Sequence, residues 1–397
     1  MITKLALRML KEVDLRLLIK FIYNFGFKNL IAISKFKKRI KKGNNFPAFI
    51  MLSITNRCNL ACQGCWVNTN KPYYDLSLST LNNIINESKK NSSYFFGLLG
   101  GEPLLHPELF DVIKSHPDCY FQVFTNGTLL TDEIAKKFKK FGNVTPVISI
   151  EGLDEVSDER RGGKNVFQDS INGLKYCIKN RLITGVAASI CRSNYNDFVN
   201  IEYISKLIDM GVHYLWYYIY RPVGENPAKE LILTGKQIID LRKFIVDARK
   251  KAPIGIVDTY WDDKGNALCP AATGLSHHIS PNGYIEFCPP LQFACDKIED
   301  GSKIFDIIND SQFLKRFREL TSSISRGCIL MENPDILYDF LKRENAVDSS
   351  GRNNAYNEIK SMCACLSHNI KGMEIPEKHW AYKFAKKNWF FGFGAYG

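Results

Sequence analysis

From Phe49 to Lys251 the chain alternates short apolar runs with amphipathic stretches, and this alternation constrains the fold more than any other feature. The runs at 49–55, 95–99, 120–125, 145–150, 183–191 and 214–220 are mostly continuous and rich in β-branched or aromatic residues. Such runs suit strands covered on both faces of a parallel sheet. Between them, 79–91, 107–115, 132–141, 166–181 and 197–210 read as helices, and 234–251 follows the sixth run. Six βα units predict an α/β chain with a parallel, barrel-like sheet and helices outside. Chemistry in such a barrel gathers at the carboxyl ends of the strands. Here those ends read Cys58 to Cys65, Gly100-Gly101-Glu102-Pro103, Thr125-Asn126-Gly127, Ser149-Ile150-Glu151-Gly152, Cys191-Arg192-Ser193 and Arg221-Pro222. One glycine pair is a weak signal, but six polar or glycine-rich ends on one rim are not.

The first strand runs directly into Thr55 to Trp66, where Cys58, Cys62 and Cys65 stand at C-x3-C-x2-C spacing. Three thiolates on one loop can hold three corners of a cubic iron–sulfur cluster, whose closed form needs four. The missing fourth leaves one iron open to an outside molecule, the logic that separates catalytic from structural zinc sites. A zinc knuckle would need a distant fourth ligand, and no paired C-x2-C or H-x3-H lies nearby. Disulfides fit poorly with twelve cysteines in a chain without a cleavable secretory signal. The spacing resembles the signature of the radical S-adenosylmethionine (SAM) superfamily. That resemblance implies a [4Fe–4S] cluster whose open iron is chelated by the amino and carboxylate groups of SAM. One position departs from the family pattern: the aromatic usually found just before the third cysteine is Gly64 here, and the aromatic follows as Trp66.

The resemblance extends to the SAM pocket. Gly100 and Gly101 would let backbone approach the SAM ammonium, with Glu102 adding charge beside it and Pro103 completing the motif. Ser149 and Glu151 would take the ribose diol, pointing one way because they lie two apart on a strand. Arg161 would offer a fork to the carboxylate, against the alternative of an ion pair with Glu155 or Asp158. Asn126 and Gly127 are either pocket or ordinary turn. The implied reaction is reductive cleavage of SAM to a 5′-deoxyadenosyl radical that abstracts a substrate hydrogen, with the electron supplied by a donor such as a flavodoxin or ferredoxin. That first step needs no side-chain acid or base, so no catalytic residue is nominated.

Beyond residue 260 cysteines become frequent. Cys269 and Cys288 frame a C-x13-G-x4-C segment with a hairpin at His278 to Phe287 turning on Pro281-Asn282-Gly283. This resembles SPASM and twitch extensions that hold auxiliary iron–sulfur clusters. The fuller C-x2-C-x5-C-x3-C run is absent, so one cluster of the twitch kind is expected, on Cys269, Cys288 and Cys328. Its fourth ligand would be Cys295, Cys363, Cys365 or an open position, against zinc or simply buried thiols. Cys119, Cys177 and Cys191 read as core. His277 and His278 read as ordinary hydrogen-bonding histidines, the aromatic run 214–220 as packing, and 345–358 as a polar loop.

The two ends of the chain differ from its body. Net charge is +12, but residues 1–43 hold twelve basic and two acidic side chains, leaving the other 354 residues close to neutral. The first seventeen residues are amphipathic, and a basic cluster follows at 35–42. That reads either as an interfacial helix with a polybasic stretch or as an extension packed across the barrel. Among the last eighteen residues eight are aromatic, with lysines between them. Such a tail either folds back on the barrel or sits at a lipid headgroup layer. Base stacking is disfavoured, because a nearly neutral body offers no phosphate-tracking groove.

The expected architecture is therefore a partial (βα)6 TIM-like barrel with a smaller cysteine-rich C-terminal domain. The segments are a basic amphipathic extension at 1–47, the barrel at 48–255, an auxiliary iron–sulfur domain at 256–370 and an aromatic tail at 371–397. The expected activity is radical modification of a peptide or protein in the cytoplasm. Alternatives are radical modification of a lipid or lipid-linked metabolite, with peripheral membrane contact through residues 1–43, and a non-enzymatic electron carrier, which would not need the GGEP and ribose motifs.

Overall fold

Strands form where the apolar runs lie. β1 (Phe49–Ser53), β2 (Phe95–Leu99), β3 (Tyr120–Thr125), β4 (Val144–Ser149), β5 (Gly185–Ile190) and β6 (Tyr214–Ile219) pair in parallel in sequence order. The computed structural model describes residues 2–225 and 227–389. Two strands extend the six expected. β7 (Gly255–Asp258) pairs in parallel with β6, and β8 (Ser276–Ile279) pairs in parallel with β1 on the other side. β7 escapes a pattern search because four residues are too few to show a run. β8 was expected only as a hairpin arm, and it is one: β9 (Ile285–Glu286) runs antiparallel to it. The result is the partial TIM-like barrel.

Helices cover the outer face, where Ile50, Leu52, Phe96, Leu98 and Phe121 are buried. The set includes α1 (Ile2–Glu12), α2 (Leu15–Ile40), α3 (Asp132–Phe141), α4 (Asp154–Arg161), α5 (Ile201–Asp209), α6 (Gly235–Lys251) and α7 (Trp380–Asn388). Their ends follow local chemistry. Thr131 caps α3 by accepting from Ile134 N, and Gly142 ends it in the left-handed region; Thr234 and Gln237 form a capping box on α6. α4 was not expected, because it carries one apolar residue, Val156, and shows no stripe. Acid in its first turn and Arg160-Arg161 in its last suit the helix dipole instead. The polar stretch 345–358 is also more ordered than its composition suggests: Val347–Asp348 pairs with Phe293–Ala294, and Ala355–Lys360 is helical. Cys119, Cys177 and Cys191 are fully buried, as expected.

Both ends of the chain fold onto the barrel. Phe25 on α2 packs 5.1 Å from Phe95 and 5.4 Å from Tyr120, the first residues of β2 and β3, so α2 lies across the amino end of the sheet. Arg8 on α1 donates to Pro253 O at 2.8 Å and Ile208 O at 3.0 Å. α7 returns to β7, where Tyr382 Oη accepts from Ile256 N at 2.9 Å, and Trp389 Nε1 donates to Gly26 O at 3.1 Å. Beneath it Arg242, Arg249 and Lys386 meet Asp258 and Glu377 in a fully buried cluster, with Arg249 2.6 Å and Lys386 3.0 Å from Asp258. Phe390, Phe391, Phe393 and Tyr396 lie outside the described residues.

Candidate active site

The cysteine loop leaves β1 and returns at Asp75 through a narrow neck. Thr55 bridges to Asp75, Leu76 N donates to Ile54 O at 2.9 Å, and Asn56 N donates to Tyr74 O at 3.2 Å. Inside the loop Cys65 N donates to Cys62 O at 3.3 Å, with Gly64 at φ +64°. A Cβ on Gly64 would fall 2.1 Å from Tyr220 Oη. This explains the departure at Gly64: Tyr220, just past β6, brings a ring to that place from across the rim. Gly224 likewise lies against the loop, since a Cβ there would be 1.9 Å from Cys65 O.

Cys58, Cys62 and Cys65 are gathered on this loop. Burial pushes the Cys58 thiol up to about 11 and the Cys65 thiol up to about 12, and Cys62 adds to both. Thiols so placed are neutral until a metal group replaces their protons.

The other rim residues divide into those that build the site and those that face it. Gly101 N donates to Thr55 O at 2.8 Å and Glu102 N to Arg57 O at 2.7 Å. A Cβ on Gly101 would be 2.2 Å from Arg57 O, so these glycines admit the cysteine loop itself. Glu102 is fully buried and accepts from Asn126 N at 2.7 Å, Thr125 Oγ1 at 2.8 Å and Leu104 N at 3.0 Å. Its carboxylate therefore ties β2 to β3, with Pro103 opening a short 3-10 turn. Asn126 donates to Asn59 Oδ1 at 2.8 Å and accepts from Thr128 N at 3.0 Å, joining the turn after β3 to the cysteine loop.

Ser149 ends β4 half-buried, but Glu151 lies beyond the strand rather than on it. Its carboxylate accepts from Ser189 N at 3.0 Å and from Arg161 Nη2 at 3.2 Å. Arg161 thus pairs with Glu151 and not with Glu155 or Asp158; Asp158 instead accepts from Asn165 N and Phe167 N. Arg161 Nη1 also lies 3.6 Å from Cys62 Sγ. Burial alone would weaken its charge, but the Cys62 and Glu151 side chains outweigh that and raise its pKa. Its buried Nε has no partner. A buried guanidinium edge with an unmet donor, beside the cysteine loop, is a place for an anionic oxygen. Close packing holds it there, since a Cβ on Gly162 would fall 2.2 Å from Ala61 O. Neighbouring Arg160, missed from sequence, donates to Gln63 O at 3.0 Å and braces the same loop.

The C-terminal cysteines also gather. Cys269, Cys288 and Cys328 lie close together; burial pushes the Cys269 thiol up to about 12 and the Cys288 thiol well above its usual range, and the neighbouring cysteines add to both. Arg221, buried just past β6, stands beside Cys328 and bonds to His368 Nδ1 at 3.2 Å. His368 in turn meets Leu268 O at 2.6 Å, next to Cys269. Cys365 lies near Arg221 and Cys328, and its thiol is raised chiefly by burial; its N donates to Met331 O at 2.8 Å, and Cys328 N donates to Ser367 Oγ at 3.1 Å. Cys295 lies apart, its Sγ donating to Glu344 O at 3.4 Å, and Cys363 is exposed. Arg221 was read only as a rim residue and His368 not at all; the fold brings both to the cysteines.

Residues 52–212 match the family model described as Radical SAM superfamily. The sporulation killing factor maturation protein SkfB of Bacillus subtilis is 31% identical over 309 residues, covering 73% of this chain and 72% of SkfB. The chain belongs to the radical SAM superfamily. The mycofactocin maturase MftC of Mycolicibacterium smegmatis is 25% identical over 317 residues, covering 74% of this chain and 78% of MftC. Streptococcus suis SuiB bound to S-adenosylmethionine shares the fold with a TM-score of 0.60 at 17% identity over 73% of each chain. SuiB bound to its precursor peptide SuiA gives 0.58, covering 71% of this chain and 69% of SuiB. This protein is thus a radical SAM enzyme, and its cofactors are a [4Fe–4S] cluster and SAM.

Proposed function

We propose that this radical SAM enzyme modifies a peptide, with Cys58, Cys62 and Cys65 holding the cluster and Arg161 receiving the SAM carboxylate. The observation that carries the site is Arg161, anchored by Glu151 at 3.2 Å, reaching Cys62 Sγ, and keeping one buried donor unmet. The peptide reading draws on SkfB, MftC and SuiB, whose likeness covers more than seventy per cent of the chain.

Cys58, Cys62 and Cys65 would hold the cluster, which when reduced would supply one electron for cleavage of the SAM sulfonium, with release of methionine. The chain's own residues orient and enclose. Gly100 and Gly101 seat the cysteine loop on β2, and Glu102 holds β2 to β3 beneath it. Glu151 fixes Arg161, and Ser149 faces the same rim as the ribose candidate. Asn126 ties the turn after β3 to Asn59. The Thr55–Asp75 neck closes the base of the loop, and Tyr220 packs over Gly64. Residues 256–370 form the auxiliary domain in this reading, with Cys269, Cys288, Cys328 and Cys365 as a second cluster's ligands. A flavodoxin or ferredoxin is the electron donor.

The test is anaerobic reconstitution with short peptides encoded beside the gene, following 5′-deoxyadenosine and peptide mass together. The expected result is deoxyadenosine formation stimulated by one peptide, which gains a mass change in step. Stimulation by a porphyrin or lipid, with every peptide inert, overturns the peptide assignment.

A further inference from the structure

α2 is apolar on two sides, and the barrel uses only one. Leu17, Leu18, Phe25, Ile33 and Phe36 are buried in the protein. The opposite side presents Leu15, Ile19, Ile22, Tyr23 and Phe27, each 54–63% exposed. The stripe follows helical spacing, and the π-helical turn at Phe21–Phe27 carries it round without a break. α1 adds Leu7 and Leu10, and α7, joined to α2 through Trp389, adds Trp380 and Phe384. Single exposed apolar residues are ordinary, but a helical stripe of five, with four more on two adjoining helices, marks an interaction surface.

The charge around it selects the occupant. Residues 1–43 carry +10 of the chain's +12. Lys4, Lys11 and Lys38 are exposed on α1 and α2, Lys41 and Lys42 in the turn that follows α2, and Lys383 and Lys387 alternate with Trp380 and Phe384 on α7. A second copy docked through this face would set one strongly basic surface against another. Anionic lipid complements it, taking the apolar stripe at the headgroup boundary and the lysines at the phosphates. α2 is long and apolar enough to cross a membrane by length and composition, yet Phe36 is fully buried in the protein and Phe25 nearly so. It can therefore lie on a bilayer but not cross one while so packed.

We infer that the α1–α2–α7 face seats the enzyme on an anionic lipid surface, with α2 in the plane of the interface. This contact anchors the protein and is not a substrate site. α2 covers the amino end of the barrel, whereas the cysteine loop and Arg161 sit at the carboxyl rim, so the rim faces the aqueous side. The inference stands independently of the peptide assignment.

The experiment is flotation of the full-length, anaerobically prepared protein with equimolar phosphatidylglycerol–phosphatidylcholine vesicles and with phosphatidylcholine alone. Co-flotation with the anionic vesicles at low salt is expected, falling about tenfold in high salt or on neutral vesicles. The triple variant Leu15→Gln, Ile19→Gln, Ile22→Gln should bind about tenfold more weakly or worse, with its unfolding midpoint and deoxyadenosine yield unchanged. Lys38→Glu, Lys41→Glu, Lys42→Glu should lose the preference for anionic lipid by a separate route. Failure to float with anionic vesicles overturns the inference, as does flotation of both triple variants equal to that of the parent protein. A homodimer in sedimentation that Leu15→Gln, Ile19→Gln, Ile22→Gln dissolves would assign the face to a second copy instead.

Discussion

Replacing Arg161 separates the SAM-pocket reading from a purely structural one. Its Nη2 is committed to Glu151 at 3.2 Å and its Nη1 stands at a long 3.6 Å from Cys62 Sγ, which leaves Nε as the donor with no partner. One charge-assisted hydrogen bond to a carboxylate contributes about 1.5–3 kcal/mol, or about 10- to 150-fold in a dissociation constant. Arg161→Ala should therefore weaken SAM binding to the reconstituted enzyme by that factor. Arg161→Lys should recover part of it, because an ammonium keeps the charge but not the fork. Glu151→Gln should cost less than Arg161→Ala, since the amide oxygen can still accept from Ser189 N. The assay is equilibrium SAM binding alongside iron content. Unchanged SAM affinity with full iron refutes the reasoning. Iron loss with unchanged affinity per remaining cluster would instead place Arg161 in service of Cys62.

Cys62→Ala should abolish 5′-deoxyadenosine formation, and formation at an undiminished rate would remove the cluster from this loop. In a background lacking Cys58, Cys62 and Cys65, Cys365→Ala should lower the remaining iron by half or more while Cys295→Ala leaves it unchanged; the reverse outcome in iron analysis rejects Cys365 as the fourth ligand. Asp258→Asn should destabilise the fold by about 3–5 kcal/mol in urea unfolding, because it strips the fully buried Arg242, Arg249 and Lys386 of one of their two anions; a loss under about 1 kcal/mol would contradict that account. Burial pushes Lys386 down to about 8 from 10.5, despite the pull of Asp258. The unfolded chain then binds the extra proton between those values, so this group's contribution makes stability rise with pH across that window. Lys386→Met should flatten the rise relative to the parent protein, and parallel stability profiles between pH 8 and 9.5 would refute it.

What was legible in the sequence is what is local in it. Strand runs and the C-x3-C-x2-C spacing are written within a few residues of themselves, so the barrel and the loop of Cys58, Cys62 and Cys65 could be read directly. α4 could not, because a helix with one apolar residue has no period to detect, and with it went Arg160 and the true partner of Arg161. Glu151 was placed on a strand that ends two residues earlier, and its pairing with Arg161 at 3.2 Å was not foreseen. That Cys365 lies near Cys328 while Cys295 turns to Glu344 O is set by the fold, and no spacing rule reaches that far. The two alternatives for the N-terminal helix, packed or interfacial, were framed as exclusive. α2 is packed on one side and apolar on the other, and only burial residue by residue separates the two sides.

The end of β6 shows how the two cysteine groups are held in relation to each other. Tyr220 and Arg221 are consecutive, and neighbouring residues in extended chain point in opposite directions. Tyr220 fills the space over Gly64 in the first cysteine loop, while Arg221 stands beside Cys328 in the second group. A second tie runs the same way: Arg352 donates to Trp66 O at 2.8 Å and to Gln292 Oε1 at 2.9 Å. Asn68 closes it by donating to Gly351 O at 2.9 Å. The spacing of the two groups is therefore set by a buried strand end and a half-buried arginine, not by a free linker. Loosening Arg352 would let the C-terminal cysteines shift against the loop while leaving each group intact, so cluster content and coupling between the groups are separable properties of this fold.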